Sequence, residues 1–153
     1  MRVLAIDAGA RRIGLAISDP SRTLARPLST IAVSSVADAV DRVARVVDEL
    51  AAEEDGLDTI VVGLPARLDG SPTTTTADVR MFIDGLTART SNSQNSQPGA
   101  PAPRFTIVTA DERLTSREAE SRLALNERDW KKRKAKLDAA AAAIILQDYL
   151  DRQ

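Results

Sequence analysis

The chain has no cysteine and no histidine, and only four aromatic residues, Phe82, Phe105, Trp130 and Tyr149. Each absence excludes a chemistry. Without cysteine there is no disulfide framework, zinc ribbon or thiol nucleophile. Without histidine there is no Ser-His-Asp triad, imidazole base or His-ligated zinc. The low aromatic content argues against a binder built on an aromatic stacking platform. No apolar run reaches the ~18 residues of a membrane span, and the opening apolar run stops at Asp7 with no cleavage site after it. That pattern is not a signal peptide and predicts a cytoplasmic protein with no membrane partner. What remains for acid–base or metal chemistry is 22 carboxylates, with 21 Lys and Arg as partners. Carboxylates favour hard cations such as Mg²⁺ or Mn²⁺.

At 153 residues and 43% hydrophobic content the chain is expected to be one domain, 1–153, with a genuine core. Its net charge of −1 hides an uneven distribution. Residues 34–58 carry eight acids against Arg42 and Arg45, whereas 126–136 carry six Lys and Arg against Glu127 and Asp129. Residues 1–26 carry five Arg against Asp7 and Asp19. Such polarisation can present a basic face to a polyanion, or be a solvated surface and nothing more.

The pattern predicts strands at 2–6, 12–18 and 26–33, in close enough succession for an antiparallel meander. Pro27 suits an edge strand. Val36, Val40, Val43, Val47 and Leu50 then recur at helical spacing, with Ser35 as start signal and Gly56 as stop. The β-branched run 59–64 predicts a central parallel strand buried on both faces. A second helix carries Val79, Phe82, Ile83 and Leu86, with Thr75 and Asp78 resembling a capping box. The polar, proline-rich stretch 91–103 predicts a mobile loop with no function. A fifth strand spans 104–110, a helix begins near Ser116, and a last helix covers about 136–150. The order predicts an α/β fold with a mixed five-stranded sheet.

Three acids stand out by place. Asp7 ends the first strand, Glu112 follows the fifth, and Asp138 lies near the expected start of the last helix. Carboxylates gathered from separate elements can hold divalent ions, and such a site cleaves phosphodiesters without histidine. Each also has a plain structural reading. Asp7 can cap the turn at Gly9, Asp111-Glu112 can be a solvated Asx turn, and Asp138 can favour a helix N-terminus. Arg11, Arg12, Arg113, Lys131, Lys132 and Lys134 are candidates for nucleic-acid backbone contacts. Trp130 can stack on a base or pack on the core.

Five segments together resemble the YqgF/RuvX family: IDAGARRIGLAISDP (6–20), IVVGLPARLDGS (60–71), VRMFIDGL (79–86), DERLTSREAE (111–120) and KKRKAKLDAAAAAIILQDYLD (131–151). The chain departs from the family pattern at Ala8 and Ala10 and in the 91–103 insertion. The resemblance implies an RNase H-like fold, with three antiparallel strands followed by parallel ones and helices on both faces. It implies a catalytic and metal-binding set of Asp7, Glu112 and Asp138 holding Mg²⁺ or Mn²⁺. Asp111 and Asp69 stand as replacements for Glu112, and Arg113 would stabilise charge on the scissile phosphate. The implied activity is endonucleolytic cleavage of structured RNA, in 5′-end processing of pre-16S rRNA. The alternative is resolution of Holliday junctions, branched DNA whose symmetric cutting needs two sites. No dimer seam is legible, so a monomer or weak homodimer is expected. A non-catalytic binding module on ribosome precursors is the reading from another class. A sugar-kinase-like ATPase shares the D-x-G opening but needs two such domains.

Overall fold

The computed structural model describes residues 1–9, 11–64, 74–91, 105–111 and 130–153; for 64, 74–76, 91, 111 and 130–138 it describes the backbone course alone. The elements run β1 (Arg2–Ala8), β2 (Arg12–Ser18), β3 (Ala25–Ala32), α1 (Val36–Ala52), β4 (Leu57–Leu64), α2 (Thr74–Ser91), β5 (Thr106–Asp111) and α3 (Trp130–Asp151). The five strands form one sheet in the order β3-β2-β1-β4-β5. β1–β2 and β2–β3 are antiparallel, whereas β1–β4 and β4–β5 are parallel. The meander and the central parallel strand expected from sequence are therefore both present. β3 is the edge that tolerates Pro27, with a bulge against Leu15 and Ala16.

Pleat alternation divides the core into two layers. Leu4, Ile6, Ile13, Leu15, Ile60 and Val62 face α1 and α2, joined by Val43, Val47, Phe82 and Leu86. Val3, Ala5, Ala16 and Val61 face α3 through Ala142, Ile145, Leu146 and Leu150. Helices thus cover both faces. Gly85 permits the close approach of α1 and α2, since a Cβ there would lie 2.9 Å from Val40 Cγ2. No helix among the described residues is long and apolar enough to cross a membrane.

Two helix starts differ from expectation. α2 begins at Thr74, so Thr75 lies inside the helix rather than capping it. α3 begins at Trp130, six residues before the first predicted position. Apolar periodicity in that segment sets in only at Leu137, but the Lys, Arg and Ala before it are strong helix formers with no Gly or Pro among them. Asp138 consequently sits in the third turn of α3, which removes the helix N-terminus reading of that acid. The expected helix near Ser116 and most of the 91–103 loop lie outside the described residues; Ser91 itself closes α2.

α1 is fixed at both ends. Ser35 Oγ accepts from the Asp38 amide at 3.1 Å, and Asp38 Oδ2 accepts from the Ser34 amide at 2.9 Å. At the other end the buried Arg2 donates to Leu50 O and Gly56 O, both at 3.1 Å, and pairs with Glu53 at 2.9 Å. Gly56 turns the chain into β4 at φ +60°. Arg2 thereby ties the first strand to the end of the first helix. Replacing Arg2 with Ala is expected to cost about 2–4 kcal/mol in urea unfolding, because two carbonyls lose a charged donor. Glu53→Gln should cost under about 1 kcal/mol, since Glu53 is exposed and both carbonyl contacts survive. Equal losses in the two variants would show that the ion pair, not the capping, is what holds.

Candidate active site

β1 is the middle strand, and between the buried Arg2 and its carboxyl end it is apolar and buried, Val3 to Ile6. The polar position near that end is Asp7, half-buried, paired with Gly14 on β2 and Gly63 on β4. Paired positions share a face of the sheet. Asp7 has the parity of Val3 and Ala5, so it belongs to the α3 side. One row therefore crosses that side at a single level: Thr30, Gly14, Asp7, Gly63 and Ala110. Glycine on either side leaves the flanks of Asp7 without side chains, about 4.8 Å away in each direction. β2 leads away from β1 on one side and β4 on the other, so Asp7 stands at the carboxyl end of the strand where the sheet order reverses. That is the common ligand position in open α/β sheets.

α3 brings position 138 to the same level. Near its C-terminus, Gln147 Oε1 accepts from the Ala25 amide at 2.9 Å. Ala25 pairs with Ser18, and Ser18 Oγ accepts from the Val3 amide at 2.8 Å. Gln147 thus marks the level of Val3, with α3 running antiparallel to β1. From Gln147 back to 138 is nine helical residues, about 13 Å. From Val3 to Asp7 is four strand residues, also about 13 Å. Position 138 further shares a helix face with Ala142 and Ile145, which pack on the sheet. By these counts positions 7 and 138 fall at a similar level on the same side of the sheet.

The other candidates divide. Arg12 opens β2 with the parity of Gly14, on the Asp7 side and half-buried. Arg11 is exposed. The turn carrying both is pinned by Gly9 N–H to Arg12 O and Val33 N–H to Arg11 O, each 2.9 Å. Lys131, Lys132 and Lys134 lie in the first turns of α3, beyond the level of Asp7. Glu112, Arg113 and Asp69 lie outside the described residues. Position 111, at the end of β5, has the parity of Ile107 and belongs to the α1/α2 side. Thr30 was not legible as a member of the row, because the β2–β3 bulge defeats simple counting.

Two other acids serve the fold. The Ser21 hydroxyl and the Leu24 and Thr23 amides hold the Asp19 carboxyl below its ordinary range, closing the β2–β3 turn. The Ser34 amide and the Arg42 guanidinium do the same for Asp38 at the start of α1. Among the described residues no three acids gather closely enough to hold a metal. Aspartate carboxylates are hard oxygen donors, of the kind that suits Mg²⁺ or Mn²⁺ and not softer ions.

A sheet of this order, covered by helices on both faces, is the RNase H-like fold of the resolvases. Fowlpox virus resolvase, solved with its Holliday junction substrate, superimposes with a TM-score of 0.54 over 99% of this chain and 98% of its own, at 12% identity. Thermus thermophilus RuvC gives 0.50 over 99% and 96%, at 16% identity. The chain belongs to the RuvX family, whose model, described as Holliday junction resolvase, matches residues 1–152. A relative from Roseiflexus sp. (strain RS-1) is 36% identical over 152 residues, covering 99% of this chain and 95% of its own. One from Chloroflexus aurantiacus (strain ATCC 29366 / DSM 635 / J-10-fl) is 39% identical over 149 residues, covering 97% and 86%. Both are provisionally named pre-16S rRNA nucleases.

Gly9 is the site's tightest constraint. A Cβ there would stand 2.6 Å from Arg12 O, a backbone atom that cannot swing aside. Gly9→Ala is expected to open the β1–β2 turn and cost about 1–3 kcal/mol in urea unfolding. An unchanged midpoint would show that the turn relaxes freely.

Proposed function

We propose that this chain is a divalent-metal-dependent endonuclease of structured nucleic acid, acting in the 5′-end processing of pre-16S rRNA. What supports the reading is Asp7 at the carboxyl end of β1, with position 138 of α3 on the same side of the sheet, in a chain of this family. The names of its relatives favour precursor rRNA as substrate. The family description and the fold favour the second reading, cleavage of four-way DNA junctions, which requires a homodimer for symmetric cutting. A monomer suffices for rRNA, and the compartment is then the cytoplasm.

In this mechanism the Asp7 and Asp138 carboxylates would hold Mg²⁺ or Mn²⁺, with Glu112 as third donor, and the chemistry such an ion would supply is activation of water and neutralisation of charge at the phosphate. The protein's own part is positional. Gly14 and Gly63 let a sugar–phosphate backbone come down beside Asp7. Arg12 shares that face and meets the phosphate there, with Arg113 as a second stabiliser of its developing charge. Arg11 and the lysines at the head of α3 hold neighbouring phosphates and set the register of the strand.

Cleavage of a precursor rRNA fragment beside a four-way DNA junction, with and without Mg²⁺, tests the reading. Asp7→Asn and Asp138→Asn are each expected to lower metal-dependent cleavage at least about a hundredfold, a loss of ~2.7 kcal/mol of barrier lowering. Circular dichroism and nucleic-acid affinity should stay at wild-type values. Full activity in Asp7→Asn would overturn the assignment. Changing Lys131, Lys132 and Lys134 together to Ala should weaken binding and reduce the salt slope by about 2–3. An unaltered slope would return that stretch to a solvated surface.

A further inference from the structure

A cavity of about 200 Å³ lies on the other face of the sheet, directly behind the active-site rim. Ile13, Val36, Ala39 and Phe82 make it apolar, and Ala8 and Gly9 form its wall toward the site. Two side chains give it polarity, Ser35 and Asp78. Ser35 Oγ already accepts from the Asp38 amide, which leaves its hydroxyl as a donor to a ligand. Asp78 is the one carboxylate among the described lining residues and is exposed on α2.

Size, charge and place narrow the occupant. The volume is below the roughly 300–1,000 Å³ of pockets for drug-sized ligands, so it suits one flat ring system rather than a whole nucleotide. A phosphate is disfavoured, because Asp78 lines the cavity and α1 beyond it carries Asp38, Asp41 and Asp48. A neutral base is not. Asp7 and Ala8 are consecutive but belong to opposite faces of β1, about 3.8 Å apart at Cα. At that rim Ala8 and Gly9 present almost no side-chain bulk. A nucleotide can straddle it, with its phosphate on the Asp7 side and its base on the Asp78 side.

We infer that this cavity receives an unpaired guanine adjoining the scissile phosphate, with Asp78 accepting from its N1–H and N2 amino groups. Guanine is the base whose pairing edge offers two adjacent donors to one carboxylate, and its O6 is an acceptor for the Ser35 hydroxyl. Reading of an unpaired, splayed base is the usual route to sequence preference in RNA recognition. The inference rests on the active-site reading above for the place of the phosphate, but its binding consequence is separable from cleavage.

The test is fluorescence anisotropy in metal-free buffer with labelled pentaribonucleotides UUGUU, UUIUU and UUAUU, where I is inosine, which lacks the N2 amino group. Wild-type protein should bind the guanine strand about tenfold more tightly than the other two, and Asp78→Asn should bind all three alike. Equal affinities in the wild type, or a preference that survives in Asp78→Asn, would overturn the inference. The inosine strand alters no protein atom, and Asp78 is exposed, so neither arm depends on a core substitution. A second arm with Mg²⁺ and longer RNA separates the two ideas. A guanine preference in binding with no cleavage leaves the pocket standing and removes the nuclease reading. Cleavage indifferent to guanine beside the cut removes the pocket alone.

Discussion

The burial of β1 on both faces governs the rest of the molecule. Val3, Leu4, Ala5 and Ile6 have no exposed surface, and helices press on the strand from either side. An unpaired charge within such a strand would carry a desolvation cost of several kcal/mol. Only the strand's end, where β2 and β4 diverge in their connections, can hold a carboxylate at lower cost. The position of Asp7 is thus a consequence of packing before it is a matter of chemistry. The same strand fixes which face the acid serves, because pleat parity admits no intermediate choice.

α3 is the second determinant. It crosses β1, β2 and β3 on one face, and its Ala-rich middle lets it lie close to the sheet. Gln147 locks its longitudinal position by bonding the Ala25 amide and the Thr23 carbonyl. Once that end is set, the level of residue 138 follows from helix rise alone. The additional turns 130–137 then extend the helix beyond the level of Asp7.

Much of this was legible in the sequence because the relevant signals are local. Strand runs at 12–18 and 59–64, the Ser35 cap and the apolar faces of α1 and α2 are each written within a dozen residues, and the sheet and helices match them. The start of α3 was not legible, since a basic helical segment without an apolar stripe looks like a solvated run. The common level of positions 7 and 138 was not legible either. It depends on a contact between residues 25 and 147, and on the reversal of sheet order at β1. Position 111 shows the complementary limit. Its place beside Glu112 in sequence carries no information about a face, whereas the register of β5 gives position 111 the parity of Ile107.

The absent histidine and the uneven charge are explained by one arrangement. A carboxylate site repels a polyanion, so cations must stand near it without neutralising the acids. Here the sheet separates the side of that site from the acids of α1. α1, with Asp41, Asp48 and Glu49, packs on one face, and α3, with its lysine-bearing first turns, packs on the other with Asp7. The net charge of −1 is thus the sum of an acid-rich α1, tempered by Arg42 and Arg45, and a lysine-rich start of α3. Among the described residues the uncharged rim at Ala8 and Gly9 lies between the two sides. That rim is where phosphate chemistry on the basic side and base reading on the acidic side can meet within a single nucleotide.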